Sequence, residues 1–364
     1  MDGLKTPLHN VHKSLGGNMV SFAGYLLPTH YSSINHEHDV VRSKAGLFDV
    51  SHMGEFIISG NDAELFLQEI TINDLGSLDV GQAQYTAMCY GDGGIVDDII
   101  LYKFKNKFML VVNSNNIGKN FKWINKNLKG NVKLKNISNH IGLLAIQGPQ
   151  SRDILQLLTD TDLNSIKFYH FVVGKVNGVK SIISRTGYTG ELGYELYIDS
   201  NFVGDIWNKL LDIGSSYGLE PVGLGCRDTL RLEMKYPLYG NDIDENTNPI
   251  EAGLGWITKL EKESFIGKKA IMEFKNNIHR RLVCIEMKER SIPRKGYLVY
   301  RNNNLVGRIT SGTMSPSLGK GIGIAYVSVP DTEIGTEIYI EIRGKRKSAK
   351  IVKPPFYKNG SLMK

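Results

Sequence analysis

The stretch Asp92-Gly93-Gly94-Ile95-Val96-Asp97-Asp98-Ile99-Ile100 constrains the fold more than any other part of the chain. DGG is a turn signal, because glycine tolerates positive φ. The run IVDDIILYKF that follows is β-branched and apolar apart from two adjacent aspartates, and it reads as a strand. Side chains on a strand alternate between faces, so Asp97 and Asp98 point opposite ways. One of them can meet solvent. The other shares a face with Ile100 and Tyr102, where a carboxylate is either paired structurally or kept for chemistry.

YTAMCY (85–90) lies on the other side of GDGG, so the two runs read as a hairpin, with FMLVVN (108–113) as a third strand. Apolar spacing marks helices in HEHDVVRSKAG (36–46), DAELFLQEI (62–70), NIGKNFKWINKNL (116–128) and FVGDIWNKLLDIGSSYG (202–218). A helix from Pro149 to about Leu158 and another over CRDTLRLEMKY (226–236) are also expected, with GLLAIQG and KSIISRTG as strands. The alternation is irregular and lacks the βαβ rhythm of a doubly wound sheet. From about residue 280 the texture changes to short strands joined by Gly, Asn and Pro turns, which predicts a separate all-β unit, a small barrel or sandwich. The boundary is expected within EFKNNIHRR (273–281).

A chain of 364 residues is long enough for two or three domains of the usual ~100–200 residues. With 41% hydrophobic and 22% charged residues it should build a sizeable core. No apolar run approaches the ~20 residues of a membrane helix, and the N-terminus lacks a signal-peptide h-region. A soluble, intracellular protein is expected. Cys89, Cys226 and Cys284 lie far apart without a CxxC, which fits a reducing compartment and neither a disulfide framework nor a zinc site. The formal net charge of +7 is scattered, with mild clusters at 119–129 and 343–350. It reads as solvated lysine-rich surface, or as steering for an acidic partner or anionic ligand. No RNP-like or zinc-finger pattern accompanies it, so nucleic acid is not expected.

GKGIGIAY (319–326) has no lysine-threonine and no following helix, so it reads as a turn entering a strand. His36 and His38 are two apart on an apparent helix and do not face one ligand together. With His52 they make no HExxH pattern, and no metal is expected. Ser32, Ser33 and Ser51 lack a GxSxG elbow. Cys226 reads as a small helix-packing residue. Three stretches stand out: RTGYTGELGYE (185–195), PVGLGCRDTLRLE (221–233) and NTNPIEAGLGW (246–256). Each alone reads equally as a structural turn or ion pair. Together they share a chemistry. Glu195 at a strand start can accept paired N–H donors of a flat heterocycle, and Arg227 can hold a carboxylate or ring oxygen bidentately. Tyr85, Tyr188 and Trp256 can pack a planar ring.

These stretches, with TPLH, FAGYLLPTHYSSI, VRSKAGLFDVSHMGEF, YTAMCYGDGGIVDDIILYK, LLAIQGPQ, FIGKKAI and ITSGTMSPSLGKGIGIA, make the sequence resemble the T-protein family of the glycine cleavage system, the aminomethyltransferases. The resemblance covers nearly the whole chain. It implies an α+β fold of three domains arranged like a cloverleaf around tetrahydrofolate. Residues 1–275 would form the folate-binding region, two interleaved subdomains, and 276–364 the C-terminal β-barrel. It implies Asp98 as the catalytic carboxylate and Asp97 as its outward or structural neighbour. Glu195 would bind the pterin, with Arg227, Tyr85, Tyr188 and Asn113 as further folate contacts. Trp256 joins them as an aromatic wall and Tyr357, near the C-terminus, as a folate-side contact. The co-substrate would be tetrahydrofolate, with no metal. The partner would be lipoylated H-protein, linked to the P- and L-proteins, in the cytoplasm or, in a eukaryote, the mitochondrial matrix. Tyr25, Leu192 and Cys226 depart from residues usual in the family, tryptophan, aspartate and alanine. Folate-dependent demethylases are the enzyme alternative. Non-catalytic folate-binding relatives of iron–sulfur assembly carry a KGCYxGQE-like signature that is absent here.

Overall fold

A computed structural model describes residues 3–362. The hairpin forms as its sequence dictates. Ala83–Cys89 and Ile95–Lys103 pair antiparallel, with Ala87 opposite Asp98. Asp92 Oδ1 accepts the Gly94 N–H at 3.0 Å, and Gly93 takes φ 87°. Gly94 is required by a close approach: a Cβ there would lie 1.9 Å from the Glu245 carbonyl oxygen. Lys107–Val112, Gly54–Ser59 and Lys133–Asn136 complete a five-stranded sheet. Helices Ala63–Ile70 and Ile117–Asn127 turn their apolar stripes onto it, burying Phe66, Leu67 and Ile124 against Phe56, Leu101 and Leu110.

A six-stranded sheet runs in the order Phe171–Val176, Val179–Ser184, Gly193–Asp199, Ile141–Gln147, Ala45–Asp49, Leu219–Pro221. The chain leaves this sheet at Asp49, builds the five-stranded one, and returns at Ile141. Helix Val203–Gly214 covers one face, with Trp207 and Leu210 in the same core as Leu144, Ile146, Leu196 and Ile198. The opposite face meets the five-stranded sheet: Phe48, Leu143, Ala145 and Tyr197 share a buried cluster with Tyr102, Met109 and Val111. Alternation therefore sends Leu196 and Ile198 to the helix side and Tyr197 to the space between the sheets.

The helix expected over 36–46 is shifted to Ile34–Ser43, and Ala45–Asp49 is a fully buried strand. A short apolar run buried on both faces carries no period that separates helix from strand.

The C-terminal unit is a closed barrel, not a sandwich. Its six strands are Arg280–Met287, Lys320–Ser328, Asn304–Ser315, Leu298–Arg301, Glu337–Ile342 and Lys345–Val352. Closure removes exposed strand edges, and Ile285, Val299, Ile309, Val327, Ile340 and Ile351 fill the interior. The barrel seats on helix Leu224–Glu233, where Leu232 meets Leu282, Ile322 and Ile324. Arg231 pins the contact, donating to Asp242 at 2.7 Å and Ser311 at 2.9 Å. Cys89, Cys226 and Cys284 are buried free thiols. Among the described residues no helix is long and apolar enough to cross a membrane.

Candidate active site

Between the two sheets lies a cavity of about 710 Å³, within the range usual for small-molecule sites. Tyr85 and Asp98 reach it from the hairpin, and Asn113 from the end of the third strand. Tyr188 comes from the loop after Ser184, Glu195 from the next strand, Arg227 from helix Leu224–Glu233, and Trp256 from the following loops. These seven expected residues are thus brought together. Tyr357 is not. Its ring lies beneath the Arg42 guanidinium at 4.0 Å and does not line the cavity, so the expected folate-side contact is corrected. Arg42 needs that face covered because it is committed to two buried carboxylates, Glu191 at 2.8 Å and Glu233 at 2.7 Å. Tyr25, Leu192 and Cys226, the departures from the family pattern, also lie outside the lining.

One end of the cavity is built on the aspartate pair. Tyr85 donates its hydroxyl to Asp98 Oδ2 at 3.0 Å, and Asn113 Nδ2 donates to Asp98 Oδ1 at 2.9 Å. Burial pushes the Asp98 carboxyl above its usual range, against the opposing hydrogen bonds from Tyr85 and Asn113. Burial likewise keeps the Tyr85 hydroxyl protonated. Asp97 does not point outward. It is fully buried beneath helix Ile117–Asn127, where Asn116 and Asn120 both donate to it. Of the two readings, outward or structural neighbour, Asp97 takes the structural one, because that face of the strand carries a helix. Trp256 is 65% exposed and stacks on Tyr85 with centroids 6.1 Å apart.

The other end holds Glu195 and Arg227. Thr186 donates its hydroxyl to Glu195 Oε2, and the same hydroxyl joins Ser184 and Tyr102 in a buried network. Glu195 Oε1 accepts nothing among the described residues. Burial raises the Glu195 carboxyl, opposed by Thr186 and the Arg227 charge. The Arg227 guanidinium makes no hydrogen bond or ion pair among the described residues. It lies 4.6 Å over the Tyr188 ring, which stacks on Tyr236 at 5.6 Å. Tyr188 spends its hydroxyl on the Pro237 carbonyl, so it offers a ring and not a donor.

Sequence reasoning missed several lining residues: Tyr169, Tyr197, Tyr236 and His52. No local pattern marks them: Tyr197 sits within the strand Gly193–Asp199 and the other three in turns and loops. His52 is held neutral, its pKa lowered to about 4 by burial and by the Arg227 charge. His36 pairs instead with Glu220 at 2.8 Å, and His38 with Thr229 and Ser317. No group of three or more metal-ligating side chains converges among the described residues.

An uncommitted acceptor, an uncommitted guanidinium and aromatic walls suit a flat heterocycle bearing N–H groups and a carbonyl, with a carboxyl group waiting at the far end. The fold and site thus define an α+β protein with a cavity of small-molecule size and a closed C-terminal barrel. Residues 8–262 match the GCVT N-terminal domain, and residues 280–358 match the glycine cleavage T-protein C-terminal barrel domain. The chain is 50% identical over 358 residues to an aminomethyltransferase of Bacillus subtilis, covering 97% of this chain and 99% of that protein. It is 48% identical over 354 residues to an aminomethyltransferase of Halothermothrix orenii, covering 97% and 99%. The crystal structure of glycine cleavage system aminomethyltransferase T from Bartonella henselae matches with a TM-score of 0.92 at 33% identity, covering 98% of this chain and 99% of that one. The chain belongs to the glycine cleavage T-protein family, a family of aminomethyltransferases.

Proposed function

We propose that this chain transfers the one-carbon unit of an aminomethyl group, carried on the dihydrolipoyl arm of the H-protein, to tetrahydrofolate. The products are 5,10-methylenetetrahydrofolate, ammonia and the reduced lipoyl carrier. The reaction breaks the carbon's bonds to nitrogen and sulfur and forms bonds to folate N5 and N10. The two protons leaving N5 and N10 end on ammonia and on the thiol. The observation that best supports this reading is that Asp98, Glu195 and Arg227 line one cavity.

In this reading Glu195 Oε1 accepts the pterin N–H groups, Arg227 meets a pterin oxygen or carboxylate, and Tyr188 and Tyr85 with Trp256 wall the rings. Asp98 orders the folate amines and handles a proton as charge develops at the N5–N10 edge. Asn113 reaches the ligand only through Oδ1, because its Nδ2 is spent on the aspartates. Residues 1–275 act as the folate-binding region and 276–364 as the barrel that backs it. The P- and L-proteins supply and reoxidise the carrier in the same compartment, the bacterial cytoplasm or the mitochondrial matrix.

The test is ammonia release from aminomethyl-loaded, lipoylated H-protein with tetrahydrofolate. Release that needs both components is the expected result. Folate binding without release would leave a non-catalytic folate protein. Demethylation of a methylated amine instead would mark a demethylase.

A further inference from the structure

Asp97 is fully buried, its neighbour Asp98 is half-buried at the cavity, and one amide bridges the two. Asn113 Nδ2 lies 2.9 Å from Asp97 Oδ1, 2.9 Å from Asp98 Oδ1 and 3.1 Å from the Asp98 carbonyl oxygen. The Asn113 backbone N–H also donates to Asp97 Oδ2, at 3.1 Å. Asn116 Nδ2 adds a bond at 2.6 Å, and Asn120 Nδ2 donates to the other oxygen. Asp97 therefore faces N–H groups that can donate and cannot accept. A proton on Asp97 would point at one of them. The surroundings of Asp98 differ. Its second partner is the Tyr85 hydroxyl, which can turn and accept, and its face is open to the cavity.

Two carboxylates this close do not both ionise readily in a buried site, and the donor inventory decides which keeps the proton. We propose that Asp97 is a positioning residue: as the ionised member of the pair it clamps the Asn113 amide, and through that amide it fixes Asp98 as the member that presents a proton to the ligand.

Other charged groups around the pair do not reverse this. Across the cavity Asp98 faces Tyr188, Tyr169 and Asp242, phenols or a carboxylate already paired with Arg231. On the helix side Lys119 is the nearby cation, and its charge favours an ionised Asp97. Tyr90 and Tyr239 on that side are raised by burial and stay neutral. Burial and Asp98 both push the Asp97 carboxyl upward. Four N–H donations oppose that push at Asp97, whereas Asp98 receives one side-chain N–H, from Asn113, and the Tyr85 hydroxyl.

The assignment rests on geometry and stands or falls independently of the folate reading, because its test uses the ligand-free protein. Side-chain carboxyl carbons of aspartate-labelled full-length protein are followed by NMR against pH, with Asp98→Asn and Asp97→Asn spectra assigning the two signals. Asp98 is expected to titrate near neutrality while Asp97 stays ionised. Asn116→Ala removes a donor from Asp97 alone and should lower the proton affinity of Asp98 by up to about tenfold as the proton shifts toward Asp97. Asp97 titrating near neutrality beside an Asp98 already ionised, or an Asn116→Ala protein with Asp98 unmoved, overturns the proposal. In turnover the Asp98-governed limb of the pH–rate profile should move to lower pH in Asn116→Ala, with KM for folate nearly unchanged.

Discussion

At the scale of single residues, two carboxylates carry separable work. Glu195→Ala removes the acceptor left open by the Thr186 bond. If tetrahydrofolate binds as proposed, it raises Tm by binding only the folded state, and the substitution should abolish most of that rise. Unchanged folate affinity in a folded Glu195→Ala protein would sink the pterin assignment. Asp98→Asn keeps size and much of the hydrogen bonding but loses the proton-handling group. Ammonia release should fall by roughly 10²-fold or more, while folate affinity changes less. Near-normal turnover in that variant would mean the wrong carboxylate. From strand alternation alone, Asp97→Asn is expected to cost turnover far less than Asp98→Asn. The structure replaces that expectation, because a neutral amide there would set N–H groups against those of Asn113, Asn116 and Asn120. Its expected effect is a lowered Tm, read in thermal melts without any ligand.

Elements meet at a buried ionic junction that ties helix Ile34–Ser43, helix Leu224–Glu233, a barrel loop and the C-terminal segment together. Arg42 bridges Glu191 and Glu233, His38 lies 3.3 Å from Glu233, and Ser317 donates to Glu233 at 2.8 Å. Ser361 closes the far side through its backbone N–H to Glu191 at 2.7 Å. Arg42→Ala leaves two buried carboxylates without their cation and should cost about 3–5 kcal/mol of stability, measured by denaturant unfolding. Arg42→Lys should recover only part, because a single ammonium cannot span both partners. Burial raises the Glu233 carboxyl, but the His38 bond, the charges of His38 and Arg42 and the Ser315 hydroxyl bring it down to about 2. A depressed carboxylate contributes stability above its unfolded pKa and loses it as pH falls through the folded one. The stability gap between wild type and Glu233→Gln should therefore be full above about pH 4.5 and shrink toward about pH 2. A gap that stayed constant across that window would show that Glu233 acts by packing alone.

For the whole molecule, the net charge of +7 bears on encounter and not on fold. If the carrier protein is acidic, its apparent affinity should weaken as salt rises, seen as a higher KM for H-protein with kcat little changed. A salt-independent KM would leave the lysines as solvated surface. Arg231 joins the barrel to the loop that carries Asp242, and the Lys235–Trp256 wall of the cavity follows directly from that helix.

What the sequence determined by itself was local. DGG and the β-branched run that follows set the hairpin. Alternation put Asp97 and Asp98 on opposite faces, and short strands with Gly and Asn turns marked the C-terminal β unit from about residue 280. Such features repeat within a few residues, so period and turn chemistry encode them. Residue pattern singled out the aspartate pair, Glu195 and Arg227, and the family resemblance gave them roles without geometry. Only the tertiary structure decided that they share one cavity, because their meeting depends on two sheets packing face to face through Tyr102, Met109 and Tyr197. Only it showed Asp97 buried under a helix, and Tyr357 packed on Arg42 instead of lining the cavity. Those outcomes rest on contacts between residues far apart in the chain, which no local periodicity records.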